Sequence, residues 1–309
     1  MPNILLTGGT GYLGSFVASQ LLGAGHQLTV LHSPQSDLSD LRDRIGHGRF
    51  SSLVFRPEYE GLIEDMAKLR PDVVIHMASV SRGREDEAGI RKMIEANLLL
   101  PALLAMGGQE CAAKGIVNCG TSWQTSGSTA DYTPFNFYAA TKQAAEDLLV
   151  PFVKKDELAV TTLRMFDNYG PSDRRNKVVD LIFDALIHDR PLKMSPGDQK
   201  LELVYVEDAA YAVRLAAERI LSGEAVGHEV FGVTSTSAVR LRDLAEGIGL
   251  VVGRPAPIEW GAREYRPGEI MKPLTVLPTL PGWAPSVPLE DGLKRVWSAK
   301  PQAGGADPT

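Results

Sequence analysis

The chain has 309 residues, 44% of them hydrophobic and 23% charged, and its 32 Lys and Arg stand against 38 Asp and Glu. A chain this long buries roughly 75% of its unfolded surface, so neither a disulfide nor a metal is needed to hold it together, and its composition argues against intrinsic disorder. The net charge of −6 disfavours nucleic acid and anionic membrane as partners, while leaving room for a local basic pocket around a phosphate. The two cysteines, Cys111 and Cys119, read as small core residues of a reducing compartment. No basic region precedes the apolar run at the N-terminus, so no signal peptide is expected. The longest mainly apolar stretch, residues 98–106, contains Pro101 and is too short to span a bilayer. No His, Cys and Asp cluster has metal-ligand spacing. These features predict a soluble, cytoplasmic, globular protein.

Residues 4–7 read as a strand and 12–22 as an amphipathic helix that ends at Gly23 and Gly25. Residues 27–32 form a second strand, 61–69 a helix, and 72–77 a strand buried on both faces. Residues 90–107 are helical, with Pro101 as a kink or break, and 115–119 form another strand. Strands alternating with helices predict right-handed crossovers and an α/β fold, a Rossmann-type doubly wound parallel sheet with helices on both faces. After about residue 170, prolines and glycines punctuate the sequence, as suits a smaller, irregular lobe over one end of the sheet. Within it, 203–206 read as a strand and 208–220 as a helix returning to the main domain; 228–233 form one more strand. The tail, 298–309, is expected to be disordered.

Thr7-Gly8-Gly9-Thr10-Gly11-Tyr12-Leu13-Gly14 lies between the first strand and the first helix. Glycines there allow a tight turn, a close backbone approach to a pyrophosphate, and tight packing of helix on sheet. The helix N-terminus then offers free N–H groups to the phosphates. Gly8, Thr10, Gly11, Tyr12, Leu13 and Gly14 are therefore the candidate dinucleotide cradle. An acidic residue at the end of the second strand binds a ribose 2′-hydroxyl, whereas a neutral one leaves room for a 2′-phosphate. Here that end is His32-Ser33, with no carboxylate until Asp37. The missing carboxylate favours NADP(H) over NAD(H); Arg42 and Arg44, which follow, are each more simply surface residues of a helix.

Of the eight tyrosines, only Tyr138 has a lysine four residues later, Lys142. On a helix the two share a face. A phenol has an unperturbed pKa of about 10, which a nearby ammonium lowers. Lys142 can also hydrogen-bond the nicotinamide ribose. Thr121 or Ser122, just past a strand, can polarise a substrate carbonyl through its hydroxyl. Thr121, Tyr138 and Lys142 form the candidate catalytic set, with Thr121 preferred to Ser122.

Together these residues make the chain resemble the extended short-chain dehydrogenase/reductase family, the nucleotide-sugar epimerases, dehydratases and ketoreductases. Thr7–Gly14 is similar to its glycine turn, and Asp72-Val73-Val74-Ile75-His76-Met77-Ala78 to its fourth-strand motif. Asn97 sits where the family has its helix asparagine. Further similarity lies in Leu163 to Pro171, in Tyr205-Val206-Glu207-Asp208, Arg266-Pro267-Gly268-Glu269 and Pro281-Gly282-Trp283-Ala284-Pro285. The segments 118–124 and 194–199 resemble the abequose-synthase-like branch, which reduces the 4-keto group of nucleotide-linked deoxysugars. The chain departs from the family at Asp167, where most relatives carry asparagine, at Leu201, which replaces an arginine, and at Arg56-Pro57, where an acidic residue normally approaches the adenine.

The resemblance implies a dinucleotide-binding domain of residues 1–170 plus 201–235 and a substrate-binding lobe of 171–200 plus 236–297. It adds Ala78 and Asn97 to the cofactor site. It implies a nucleotide-diphosphate sugar substrate, bound by Ser122, Trp123, Asn168, Lys177 and Arg266. Arg266 leads for the diphosphate, with Lys177, Arg174 and Arg175 as alternatives; Trp123 would line the sugar pocket, and His76 would be structural. A homodimer through the helices carrying Tyr-x-x-x-Lys is also implied. The expected activity is NADPH-dependent reduction of a sugar ketone. A dehydratase is disfavoured because Ser122-Trp123 stands where similar enzymes carry carboxylates. An NAD-dependent 4-epimerase is the second reading, and a non-catalytic dinucleotide sensor the third.

Overall fold

The computed structural model describes residues 1–46, 48–81, 86–126, 132–153, 158–235, 237–273 and 277–300. The first half runs β1 (Asn3–Thr7), α1 (Tyr12–Gly23), β2 (Gln27–His32), α2 (Ser39–Ile45), β3 (Ser51–Val54), α3 (Leu62–Leu69) and β4 (Val73–His76). It continues with α4 (Glu87–Ile94), α5 (Leu100–Glu110), β5 (Gly115–Thr121), α6 (Phe137–Val153) and β6 (Ala159–Met165). Then come β7 (Asp167–Tyr169), α7 (Val178–His188), β8 (Leu192–Met194), β9 (Lys200–Leu201), β10 (Leu203–Tyr205) and α8 (Val206–Ser222). The chain closes with β11 (His228–Val233), β12 (Val239–Arg240), α9 (Leu241–Val252), β13 (Ile258–Trp260) and α10 (Leu289–Ser298).

Seven strands form one parallel sheet in the order β11-β6-β5-β4-β1-β2-β3. This is the doubly wound α/β fold that the alternation of strands and helices requires. Parallel strands need crossover helices, so both faces are covered and the central strands can be apolar throughout. All four residues of β4 are buried, as are all seven of β5. Phe16, Val17 and Leu21 of α1 and Val213, Ala216 and Ala217 of α8 pack on one face; Met66 of α3, Leu104 of α5 and Leu149 of α6 pack on the other. Strand order reverses between β1 and β4, which opens a crevice at their C-terminal ends, where ligands of such sheets bind.

Pro101 does not break its helix. α4 and α5 are joined without a break in helical backbone by a π turn, Glu95–Leu99, which interrupts the regular ladder directly ahead of Pro101. Beyond residue 170 the chain is more regular than its prolines and glycines suggest. α7, α9 and α10 enclose a core of Phe183, Ile248 and Leu293, edged by two-stranded ribbons β10–β7, β12–β9 and β13–β8. α8 does return to the main sheet, but β10 pairs with β7 rather than joining it. The expected disordered tail starts too early: Ser298 closes α10, and Lys300 Nζ lies 3.0 Å from both Asp180 and Asp184. Residues 301–309 lie outside the described residues. Among the described residues, no helix is long and apolar enough to cross a membrane.

Candidate active site

The glycine turn after β1 sits at the crevice. Gly8 has a φ of +74°, and a Cβ there would lie 2.6 Å from the backbone nitrogen of Ala78; only glycine allows that approach. A Cβ at Gly14 would overlap the carbonyl oxygen of Gly8, so α1 can lie directly on the turn. α1 begins at Gly11 with no side-chain cap and no acidic residue in its first turn. Its leading N–H groups therefore face the crevice without a competing carboxylate, which fits a phosphate. Thr10 lies in the same turn, and Tyr12 and Leu13 open α1 beside it.

At the end of β2, His32 Nδ1 donates to the carbonyl oxygen of Ser33 at 2.9 Å, and Ser33 Oγ lies 2.9 Å from Ser36 Oγ. His32 Nε2 is buried with no partner among the described residues. Asp37, beyond the end of the strand and exposed, is turned toward the start of α2. Its carboxylate accepts from Ser39 N and Ser39 Oγ, both at 2.8 Å, and these bonds hold it below the ordinary carboxylate range. Arg44 turns to α1: Nε donates to Ser15 Oγ at 3.0 Å and the guanidinium stacks 3.5 Å over the Phe16 ring.

Beside β1, the end of β4 is tied down by side chains. Thr7 Oγ1 accepts from the backbone N–H groups of Met77 and Ala78 at 3.2 and 3.1 Å. Its own hydrogen is left for His76 Nδ1, 3.0 Å away. His76 is wholly buried, and desolvation, with Lys142 nearby, holds its pKa well below the ordinary value. Asn97 spends its amide on protein groups: Oδ1 accepts from Val80 N, and Nδ2 donates to Val80 O and Thr141 Oγ1. It thus braces the loop after β4 from behind.

α6 delivers Tyr138 and Lys142 to this crevice, and β5 delivers Thr121. Lys142 is only 1% exposed. Burial lowers its pKa, opposed by Cys119 and Glu146, and burial raises that of Tyr138, opposed by a hydrogen bond with Ser79. The phenol, expected to be lowered by Lys142, is raised instead, because desolvation of the phenolate outweighs the hydrogen bond with Ser79. Thr121 caps a short turn, Ser122–Gln124, and its Oγ1 accepts from Trp123 N at 3.4 Å. That bond uses a lone pair and leaves the hydroxyl hydrogen to donate. Trp123 packs against Phe135 at 5.2 Å and Tyr138 at 6.4 Å between ring centroids. Ser122 is half-buried beside it. A Cβ at Gly268 would lie 3.9 Å from Phe135, so the turn carrying the exposed Arg266 borders the same aromatic wall.

The remaining candidate cations are engaged elsewhere. Lys177 Nζ pairs with Asp167 at 2.6 Å, so the Asp167 departure comes with its own counter-charge. Arg175 is bound to Asp173 and to the Asn168 side chain, and stacks 4.4 Å over the Tyr12 ring. Arg174 pairs with Asp40 at the surface, and Arg56 with Asp65. Sequence reading passes over Ser79, Gln124, Glu146 and Arg164. Thr121 and Gln124 do carry the spacing of a capping box, which is legible; the contact of Ser79 with Tyr138 joins distant segments and has no such signal.

The NAD dependent epimerase/dehydratase family profile matches residues 4–231. A CDP-abequose synthase from Yersinia pseudotuberculosis is 31% identical over 213 residues, covering 68% of this chain and 71% of that protein. A probable UDP-glucuronate 4-epimerase from Rhizobium meliloti (strain 1021) is 26% identical, with 94% of each chain covered. The solved structure of UDP-glucose 4-epimerase from Thermotoga maritima, with UDP-glucose, has a TM-score of 0.82 at 22% identity, covering 96% of this chain and 98% of that one. That last likeness is one of fold. With the glycine turn, the sheet order and the Tyr138–Lys142 helix in place, the chain belongs to the NAD dependent epimerase/dehydratase family.

Proposed function

We propose that the protein catalyses NADPH-dependent reduction of a keto group, at C4, on a nucleotide-linked deoxysugar. The observation that carries this reading is the end of β2, where His32 and Ser33 stand and no carboxylate occurs before Asp37, five residues on and turned to Ser39. Such an end leaves room for a 2′-phosphate and lacks the carboxylate that binds a ribose 2′-hydroxyl. The similarity to a CDP-abequose synthase supports a nucleotide-sugar substrate.

Gly8, Thr10, Gly11, Tyr12, Leu13 and Gly14 would hold the pyrophosphate, Ser33 the 2′-phosphate with the neutral His32 ring shaping the wall beside it, and Ala78 the adjoining ribose, with Asn97 bracing that loop. When bound, the reduced nicotinamide supplies the hydride for the carbonyl carbon. Tyr138 gives its phenolic proton to the carbonyl oxygen while Thr121 donates a hydrogen bond to the same oxygen. Lys142 holds the nicotinamide ribose and keeps Tyr138 in line. The raised pKa of Tyr138 keeps it protonated at neutral pH, as a proton donor requires. Residues 171–200 and 236–297 would hold the substrate, with Arg266 on the diphosphate and Trp123 and Ser122 along the sugar. On the substrate side Asn168 Oδ1 accepts from Arg175 and Lys177 is paired with Asp167, which leaves Arg266 as the first candidate for the diphosphate.

The test is incubation with NADPH and a panel of nucleotide-linked 4-keto-6-deoxysugars, following the absorbance of the reduced cofactor and the product by NMR. Cofactor oxidised in step with product is expected. A 4-epimerase, the second reading, is supported by the 26% identity to a probable UDP-glucuronate 4-epimerase along nearly the whole chain. Interconversion of two saturated nucleotide sugars with no net change in absorbance, by protein purified with a full complement of NAD, would decide for it.

A further inference from the structure

Gln124 ends the turn that follows β5 and folds its amide back beneath it. Its Oε1 accepts the backbone N–H of Thr121 at 2.8 Å. Its Nε2 donates to Glu146 Oε1 at 2.7 Å and to Gln143 Oε1 at 3.0 Å. Glu146 lies on α6, one turn beyond Lys142. Its carboxylate also accepts from Arg164 of β6, Oε1 from Nε at 3.1 Å and Oε2 from Nη2 at 2.8 Å. Gln124 is 0% exposed and Glu146 2%. Gly120 makes the room: a Cβ there would lie 2.7 Å from Gln124 Oε1 and 3.0 Å from Glu146 Oε1. Both amide hydrogens and the amide oxygen of Gln124 are thus used, in a place without water to substitute for them.

In the proposed reduction two donors meet one oxygen, and they come from different elements, Thr121 from β5 and Tyr138 from α6. We propose that Gln124, locked to Glu146 and Arg164, is the positioning residue that fixes the Thr121 hydroxyl relative to Tyr138. This rests on the reading above that Thr121 donates to the carbonyl. Glutamine suits the place because the turn presents a donor, Thr121 N–H, and α6 presents an acceptor, Glu146. Only a side chain with both functions at the right length satisfies the two together.

The test pairs kinetics with amide hydrogen exchange on the cofactor-free protein. Gln124→Met keeps most of the volume and removes every polar contact. Exchange at the Thr121 amide should accelerate, and kcat should fall about ten- to a hundred-fold while KM for the nucleotide sugar holds. In a Thr121→Val background, Gln124→Met should cost nothing further in kcat, since it acts only through that hydroxyl. Full additivity of the two losses, or unchanged exchange at Thr121, overturns the proposal. If Thr121→Val alone keeps the wild-type kcat, the failure lies in the assignment of the hydroxyl donor instead, and this proposal falls with it. Should Gln124→Met not fold, Gln124→Asn retains the amide but cannot reach from Thr121 to Glu146. It should give the same losses, and wild-type kcat and exchange in Gln124→Asn would likewise overturn the proposal.

Discussion

Lys142 holds an ammonium group with almost no solvent around it, and the direction of its pKa makes the alkaline side of the rate profile its property. Burial favours the neutral amine, so the charge is lost below the ordinary value of about 10.4, whereas Tyr138 is pushed up and stays protonated longer. The reduction rate should therefore decline at a pH below that value; initial rates across the alkaline range check it, and a profile flat past it would place the charge elsewhere. Tyr138→Phe should keep the fold and cofactor affinity while losing nearly all turnover. Lys142→Met should lose turnover and some cofactor affinity, and retention of most ketone reduction in Tyr138→Phe would mean another proton donor. At the cofactor end, NADPH should bind several-fold tighter than NADH, roughly 1 kcal/mol or more. His32→Asp should reverse that order by repelling the 2′-phosphate. Titration of both cofactors against both proteins measures it, and a wild-type preference for NADH contradicts the assignment.

At the scale of elements, the glycine turn is held by contact, not by chain flexibility alone. Gly8→Ala forces a Cβ against the Ala78 backbone at a left-handed φ, so thermal stability should drop by about 1–3 kcal/mol and the stabilisation by added NADPH should vanish. A melting curve with and without NADPH tests both, and an unchanged shift would remove the turn from the cofactor site. This turn was legible because strand, glycines and helix stand together in sequence. β2 and β11 were equally legible, as short segments rich in β-branched and aromatic or aliphatic residues. The helices past residue 170 were legible in principle. Val179, Ile182, Phe183 and Leu186 repeat with helical spacing, as do Leu241, Leu244, Ala245 and Ile248, and all eight are buried. Prolines and glycines hide them by marking the ends of elements, which resembles irregular chain. The fate of the candidate cations was not legible at all. Lys177 and Asp167, or Arg175 and Tyr12, meet only through tertiary packing, and no local spacing announces such meetings.

For the whole molecule, the buried imidazole of His76 and the half-buried one of His228 weigh on stability in acid. Burial holds both below the ordinary value. Below about pH 6.5 the unfolded chain takes up protons that the folded chain refuses. Stability is then intact above that pH and falls beneath it, by up to about 1.4 kcal/mol per pH unit for each group. Thermal melts between pH 7 and 5 should show this decline, and His76→Asn should flatten it; an identical slope in the variant would assign the decline to other groups. Tyr12 joins the two halves of the chemistry. It opens α1 directly after the glycine turn, its hydroxyl donates to Pro171 O at 3.3 Å, and its ring carries Arg175. Whatever steadies the turn therefore steadies the segment leading to the substrate, and the reverse. By thermodynamic reciprocity, a nucleoside diphosphate should raise the affinity for NADPH by the same factor that NADPH raises affinity for the nucleoside diphosphate. Calorimetric titrations in either order measure the two factors, and Tyr12→Ala should bring both to unity, turning a cooperative pair of ligands into independent ones.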